Sequence, residues 1–89
     1  MGLLREVDII TKKDKILDSI LGFVLYDTKK GASELSLCGE LAPFLYAKKE
    51  LESNGNRVGE HKINLNILDA DKKRGVYRLN VRIGDLQHA

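Results

Sequence analysis

Six polar residues occupy alternate positions in two stretches near the end of the chain: Lys62, Asn64 and Asn66, then Arg78, Asn80 and Arg82. Lysine and arginine contact phosphates, while the asparagine amide, both donor and acceptor, can read base edges or another polar surface. Between the stretches runs Lys72-Lys73-Arg74, three consecutive cations. A further pair, Lys48-Lys49, lies upstream beside Glu50 and Glu52. These are the candidate contacts to a nucleic acid or a protein partner. A solvated face carries the same side chains, and that is the commoner fate of charged residues.

Catalytic and metal chemistry finds less in the sequence. The two histidines, His61 and His88, are too few and too dispersed for a His-based metal site. Asp69-Ala70-Asp71 resembles the start of a calcium loop, but Lys73 stands where an oxygen ligand is needed, so turn chemistry explains it better. Asp71-Lys72-Lys73 matches only a three-residue fragment of a nuclease carboxylate–lysine pattern. Gly55 and Gly59 bracket a loop instead of opening a helix, so no phosphate loop forms there. The lone Cys38 excludes an internal disulfide, and among Leu35, Leu37 and Leu41 it reads as a small buried hydrophobe. No enzyme, cofactor or metal is expected.

Eighty-nine residues form one small domain with a thin core. The net charge of +2 is unevenly placed: residues 1–56 sum to −1 and residues 57–82 to +4. Electropositive surface is therefore expected mainly from the C-terminal part. No window is apolar enough for a membrane span, and residues 1–13 lack the apolar run of a signal peptide. Glu6 stands where a myristoylation signal needs Ser or Thr. A single free cysteine suits a reducing compartment, so a cytoplasmic, non-membrane protein is expected.

The cations of residues 62–82 need an element that presents them on one side. Ile63, Leu65 and Ile67 interleave with the first polar set, and Tyr77, Leu79, Val81 and Ile83 with the second. Period two over that length predicts a β-hairpin across His61 to Ile83, closed by the polar turn Asp69–Gly75. Pairing Leu68 with Val76 and zipping outward puts Ile67 opposite Tyr77, Leu65 opposite Leu79 and Ile63 opposite Val81. Asn66 then faces Arg78, Asn64 faces Asn80, and Lys62 faces Arg82 in a mildly repulsive pair. A one-residue slip would set apolar residues against polar ones, which excludes it.

Upstream, Thr11-Lys12-Lys13-Asp14 resembles a capping box, and Ile16, Leu17, Ile20, Leu21, Val24 and Leu25 follow at helical spacing. A helix over about 12–26 is expected, with a strand over 21–27 as the competing reading because Phe23, Val24, Leu25 and Tyr26 favour strands too. Residues 33–41 are ambiguous between strand and short helix. Pro43 suits the first turn of a helix reaching about Ser53, which Asn54-Gly55 ends. Leu86 to Ala89 should fray.

The expected class is α+β, with two or three helices followed by a C-terminal antiparallel β-hairpin. If 33–41 is helical, the order matches a winged helix-turn-helix, with Pro43–Ser53 as recognition helix and 61–83 as wing. If 20–28 and 32–38 are strands, the order is ββαββ. The first arrangement favours a DNA-binding regulator that contacts phosphates through the basic hairpin. The second hypothesis is a protein–protein interaction module, a regulator, inhibitor or accessory subunit acting by strand pairing or as a homodimer.

Overall fold

The computed structural model describes residues 2–84, and the side chains of residues 5–84. The expected frayed end at 86–89, and with it His88, lies outside the described residues. The order is α1 (Gly2–Gly22), β1 (Glu34–Gly39), α2 (Leu41–Ser53), β2 (Arg57–Val58), β3 (His61–Asp71) and β4 (Val76–Ile83). The strands form one antiparallel sheet in the order β1-β4-β3-β2. Both helices pack on one face of it, so the α+β class and the hairpin stand, within a larger sheet.

Helix α1 begins ten residues before the expected start. Thr11 is consequently mid-helix: its hydroxyl donates to the Val7 carbonyl at 2.8 Å, the bond of a helical threonine to the preceding turn. The capping-box reading fails because the apolar stripe already includes half-buried Ile9, and nothing between Leu3 and Ile10 breaks a helix. At the other end the helix widens into a π turn over Phe23–Asp27, with the Thr28 N–H reaching back to the Phe23 carbonyl. That wider turn keeps Phe23 and Val24, adjacent in sequence, both in the core at 2% and 3% exposure. A strand would have pointed them to opposite faces, which is why the strand reading of 21–27 fails. A single 3₁₀ turn, Thr28–Lys30, ends at Gly31, whose φ of 99° only glycine adopts freely.

Residues 33–41, left open between helix and strand, contain β1. It pairs with β4, from Glu34 opposite Arg82 to Gly39 opposite Tyr77. This removes the tandem helices of a helix-turn-helix. It also removes ββαββ, since 20–28 is helical and supplies no strand. The reason is non-local: β1 finds its partner 38 to 48 residues away, where β4 has a free edge.

Helix α2 follows expectation. Pro43 lies in the first turn, and Phe44, Ala47 and Leu51 are buried. The stop is displaced by one residue: Gly55 and Asn56, not Asn54, take positive φ values of 72° and 58°. The Asn56 N–H caps the Leu51 carbonyl at 2.8 Å, and the Asn56 carbonyl accepts from the Ile63 N–H at 2.8 Å. The helix end is thereby tied to the start of β3.

The hairpin register differs from the expected one by two residues. Ile63 faces Ile83, Leu65 faces Val81, Ile67 faces Leu79, and Asn66 faces Asn80. A bulge between Asp69 and Asp71 lets β3 run on to Asp71 opposite Val76. The turn shrinks to Lys72–Gly75, with Gly75 at φ 68°. A slip of two leaves every side chain on its original face, so alternation cannot detect it; the bulge and the glycine turn decide. The expected Lys62–Arg82 pair dissolves, and Arg82 instead lies between Glu34 and Asn64.

The core joins Ile20, Phe23, Val24, Phe44 and Leu51 of the helical layer to Ile63, Leu79, Val81 and Ile83 of the sheet. Two charge clips hold α1 in place: Lys12 to Glu40 at the start of α2, and Lys13 to Glu50 within it, the latter at 3.0 Å. Hydrogen bonds to Glu40 and then Asp8 raise the Lys12 pKa, and bonds to Glu50 and then Asp14 raise that of Lys13.

Leu79 is fully buried while Leu68, on the opposite face, is 44% exposed. Leu79→Ala should therefore cost about 2–5 kcal/mol in urea unfolding. Leu68→Ala should change stability by no more than about 0.5 kcal/mol. Because both lysines gain proton affinity on folding, their contribution is full below the ordinary lysine value of 10.5 and is lost as pH rises past their folded values. Stability should fall through that alkaline window by a small, solvent-screened amount, and fall less in Lys12→Gln/Lys13→Gln. Equal alkaline slopes in the two proteins would show the clips to be inert.

Candidate nucleic-acid interface

The helices cover the face carrying Ile63, Leu79, Val81 and Ile83, so the even-numbered residues of β1, β3 and β4 share the open face. They stand in rows across the sheet. Nearest the turn is Cys38–Arg78–Leu68, then Ser36–Asn80–Asn66, then Glu34–Arg82–Asn64. A fourth row adds Lys62 of β3 beside Arg57 of β2. With adjacent strands about 4.8 Å apart, the members of each row are near neighbours; the rows through Asn66 and Asn64 are polar throughout, while Leu68 ends the row nearest the turn.

Two contacts order this surface. Arg82 Nη2 lies 3.4 Å from Glu34 Oε2, and the Ser36 hydroxyl donates to Asn80 Oδ1 at 2.7 Å. The second bond leaves the Asn80 amide NH₂ as a donor group on the face. Gly84 completes the Lys62 end: its N–H donates to the Lys62 carbonyl at 2.7 Å, and a Cβ there would sit 3.1 Å from Asn64 Nδ2. Among the described residues, no ion pair neutralises Arg57, Lys62, Lys72, Lys73 or Arg78. At the turn, Asp71 Oδ1 accepts from the Arg74 N–H at 3.3 Å, and Asp71 Oδ2 lies 3.8 Å from Arg74 Nε. Asp71 ends β3, and its carboxylate braces the turn that follows.

Nine of the expected contact residues thus belong to one structural unit. Lys62, Asn64, Asn66, Arg78, Asn80 and Arg82 lie on the open face, and Lys72, Lys73 and Arg74 form its exposed tip. Lys48 and Lys49 do not join them. They sit on α2 in the opposite layer, with Lys49 beside Ile10, Tyr46 and Glu50. Sequence reasoning missed Arg57, Ser36 and Glu34. The alternation of Leu35 and Leu37 would have exposed the last two had a strand been assigned there.

Cys38 is a correction: it is exposed on the open face beside Arg78, not buried. β1 places Leu35 and Leu37 toward the helices, so the intervening positions must face away. Cys38 and His61 sit on strands at or near opposite edges of the sheet, which excludes them as a catalytic pair.

No aromatic side chain lies on the open face among the described residues; Tyr77 points to the helical side and Tyr26 and Tyr46 belong to the helical layer. No described helix is long and apolar enough to cross a membrane. Comparison with protein-family models, curated proteins and solved structures finds no match for the chain. Its surface chemistry therefore carries the functional argument.

The exposure of Cys38 has a direct check. Its thiol should react with an aromatic disulfide reagent in the native protein about as fast as in urea. Labelling that waits for unfolding would return Cys38 to the interior.

Proposed function

We propose that this is a small non-enzymatic binding protein that holds the phosphate backbone of duplex DNA with its β3–β4 ribbon. The observation that carries the reading is the run of un-neutralised cations from Lys72 and Lys73 at the turn to Arg78 on the adjoining row. A two-stranded ribbon is narrow enough to lie along or within a major groove. The turn reaches past the bulge, where residues from Leu68 to Gly75 are exposed on both faces. Phosphates would meet Lys72, Lys73, Arg74 and Arg78, with Asn66 and Asn80 supplying hydrogen bonds one row further in.

Duplex is preferred to single-stranded nucleic acid for a physical reason. Single strands are held largely by bases stacked on aromatic rings, and the open face offers none. Arginine and lysine contacts to a regular backbone need no such rings. With Lys48 and Lys49 on the far layer, α2 has no part in this reading, and a major-groove recognition helix is not invoked.

The test is the salt dependence of binding to random-sequence duplex. Four phosphate contacts give a slope of log K against log salt of about −3.6, and Lys72→Ala/Lys73→Ala/Arg74→Ala should reduce it to about −0.9. A Lys48→Ala/Lys49→Ala variant should bind as the wild type does. Absence of a mobility shift at low salt would overturn the reading.

A second reading rests on open strand edges. β2 covers only His61 and Lys62 of β3, so the outer edge from Asn64 to Asp71 is without a strand neighbour. Such an edge accepts an added strand from a protein partner.

A further inference from the structure

The sheet has an outer edge at β1 that the fold leaves open. In the β1–β4 ladder the Ile83 N–H donates to the Ser33 carbonyl, and Leu35, Leu37 and Gly39 follow at the same phase. Antiparallel pairing alternates, so Glu34, Ser36 and Cys38 turn their N–H and C=O groups outward. Among the described residues no backbone group pairs with them. The usual guards of an exposed edge are a bulge, a proline or a lysine, and β1 has none of the three. The outer edge of β3 differs, since a bulge interrupts it and β2 covers its start.

Beside this edge lies a groove of about 330 Å³ between β1 and one face of α1, where Lys12, Lys15, Ile16 and Ser19 stand at helical spacing. Leu37 and Phe44 add apolar lining. Gly39 puts no side chain between the strand and Phe44, whose ring a Cβ there would meet at 3.4 Å. Cys38 lines the groove as well, although its side chain belongs to the open face, so the groove reaches the outer edge of the strand. Leu37 faces the helices yet is only half-buried, unlike its neighbour Leu79 on β4, which is fully buried.

Open backbone groups and an apolar groove at one edge match a ligand that has both kinds of surface. An extended peptide does: its amides continue the ladder, and every second side chain turns to the helical side, opposite Leu35, Leu37 or Gly39. Charge narrows the chemistry. Lys12 is already held by Glu40 and Asp8, whereas Lys15 is exposed and in no ion pair among the described residues. A second copy pairing edge to edge would bring its own α1, and its own Lys15, to the same side of the sheet. An acidic segment brings the missing counter-charge instead. We infer that the protein binds an extended acidic peptide, added as a strand to β1 with an apolar side chain in the groove and a carboxylate at Lys15. The site shares no residue with the cationic turn, so it stands or falls apart from DNA binding.

Selection from a phage-displayed library of random decapeptides tests this on the full chain. Enriched sequences should carry Asp or Glu two positions from an apolar residue, the interval that puts both on one face of a strand. Binding of a selected peptide, read by fluorescence anisotropy, should weaken about tenfold in Ser36→Pro, which removes an outward N–H and spares the β4 ladder. Ser36→Ala, which loses only the hydroxyl bond to Asn80, should bind as the wild type does. Lys15→Glu should weaken binding about fivefold. N-methylation of alternate peptide amides should abolish binding in one phase and be tolerated in the other, a check that needs no protein variant. No enriched sequence, enrichment without acidic residues, or an affinity that Ser36→Pro and Lys15→Glu leave unchanged each overturns the inference. So does equal tolerance of both methylation phases, or a wild-type dimer that Ser36→Pro dissociates. Lys72→Ala/Lys73→Ala/Arg74→Ala should keep the peptide, which separates this site from the ribbon.

Discussion

The double pairing of β4 is the constraint on which the rest of the molecule depends. This strand is flanked by β1 on one edge and β3 on the other, and its Leu79, Val81 and Ile83 are 0–3% exposed. A two-stranded hairpin alone is marginal in water, because one face of it cannot bury enough apolar surface. Adding β1 gives the face a third row of apolar side chains, and α1 and α2 then have a surface wide enough to cover. The chain supplies α1, β1 and α2 before the hairpin. Phe23, Val24, Phe44 and Leu51 deliver the helical half of the contact.

That same pairing dictates the outer face. Once Leu79 and Val81 point inward, Arg78, Asn80 and Arg82 have nowhere to go but outward, and β1 and β3 bring their own polar residues alongside. Glu34 then moderates Arg82, and Ser36 orients Asn80. Charge on this face is therefore graded: it is partly compensated toward Arg82 and uncompensated toward Arg78, Lys72 and Lys73. A ligand with dense negative charge would be drawn first to the turn end, where long-range attraction is least cancelled.

The hairpin, α2 and the facing of the hairpin's alternating residues were legible in the sequence because each rests on local periodicity. Ile63-Leu65-Ile67 and Leu79-Val81-Ile83 alternate so regularly that only their polar partners could face solvent. The register was not legible, since period two is blind to a shift of two, and the decisive features were a bulge beside Ala70 and a glycine at positive φ. The strand at β1 was hidden for another reason. Six residues with one Gly and one Cys carry little propensity, and their strand state is imposed by the free edge of β4. The early start of α1 was hidden by a plausible cap at Thr11, whose hydroxyl can bond backward as readily as forward. Nine of the expected contact residues came together because they share the hairpin; Lys48 and Lys49 did not, because no sequence pattern tells which layer a helix joins.

Two chemically opposed surfaces result from one layered arrangement. The sheet exposes cations and amides because most of its apolar residues point inward. The helical layer exposes Val7 and Ile10 because the α1 residues packed against the core begin at Ile16, more than a turn further on. A helix this long, placed on a domain this small, puts apolar area in water that a shorter helix would have avoided. Such area is tolerated at modest cost when scattered. The separation matters mechanistically. The cations lie on the sheet face away from both helices, so a polyanion can approach them without meeting the exposed apolar residues of α1.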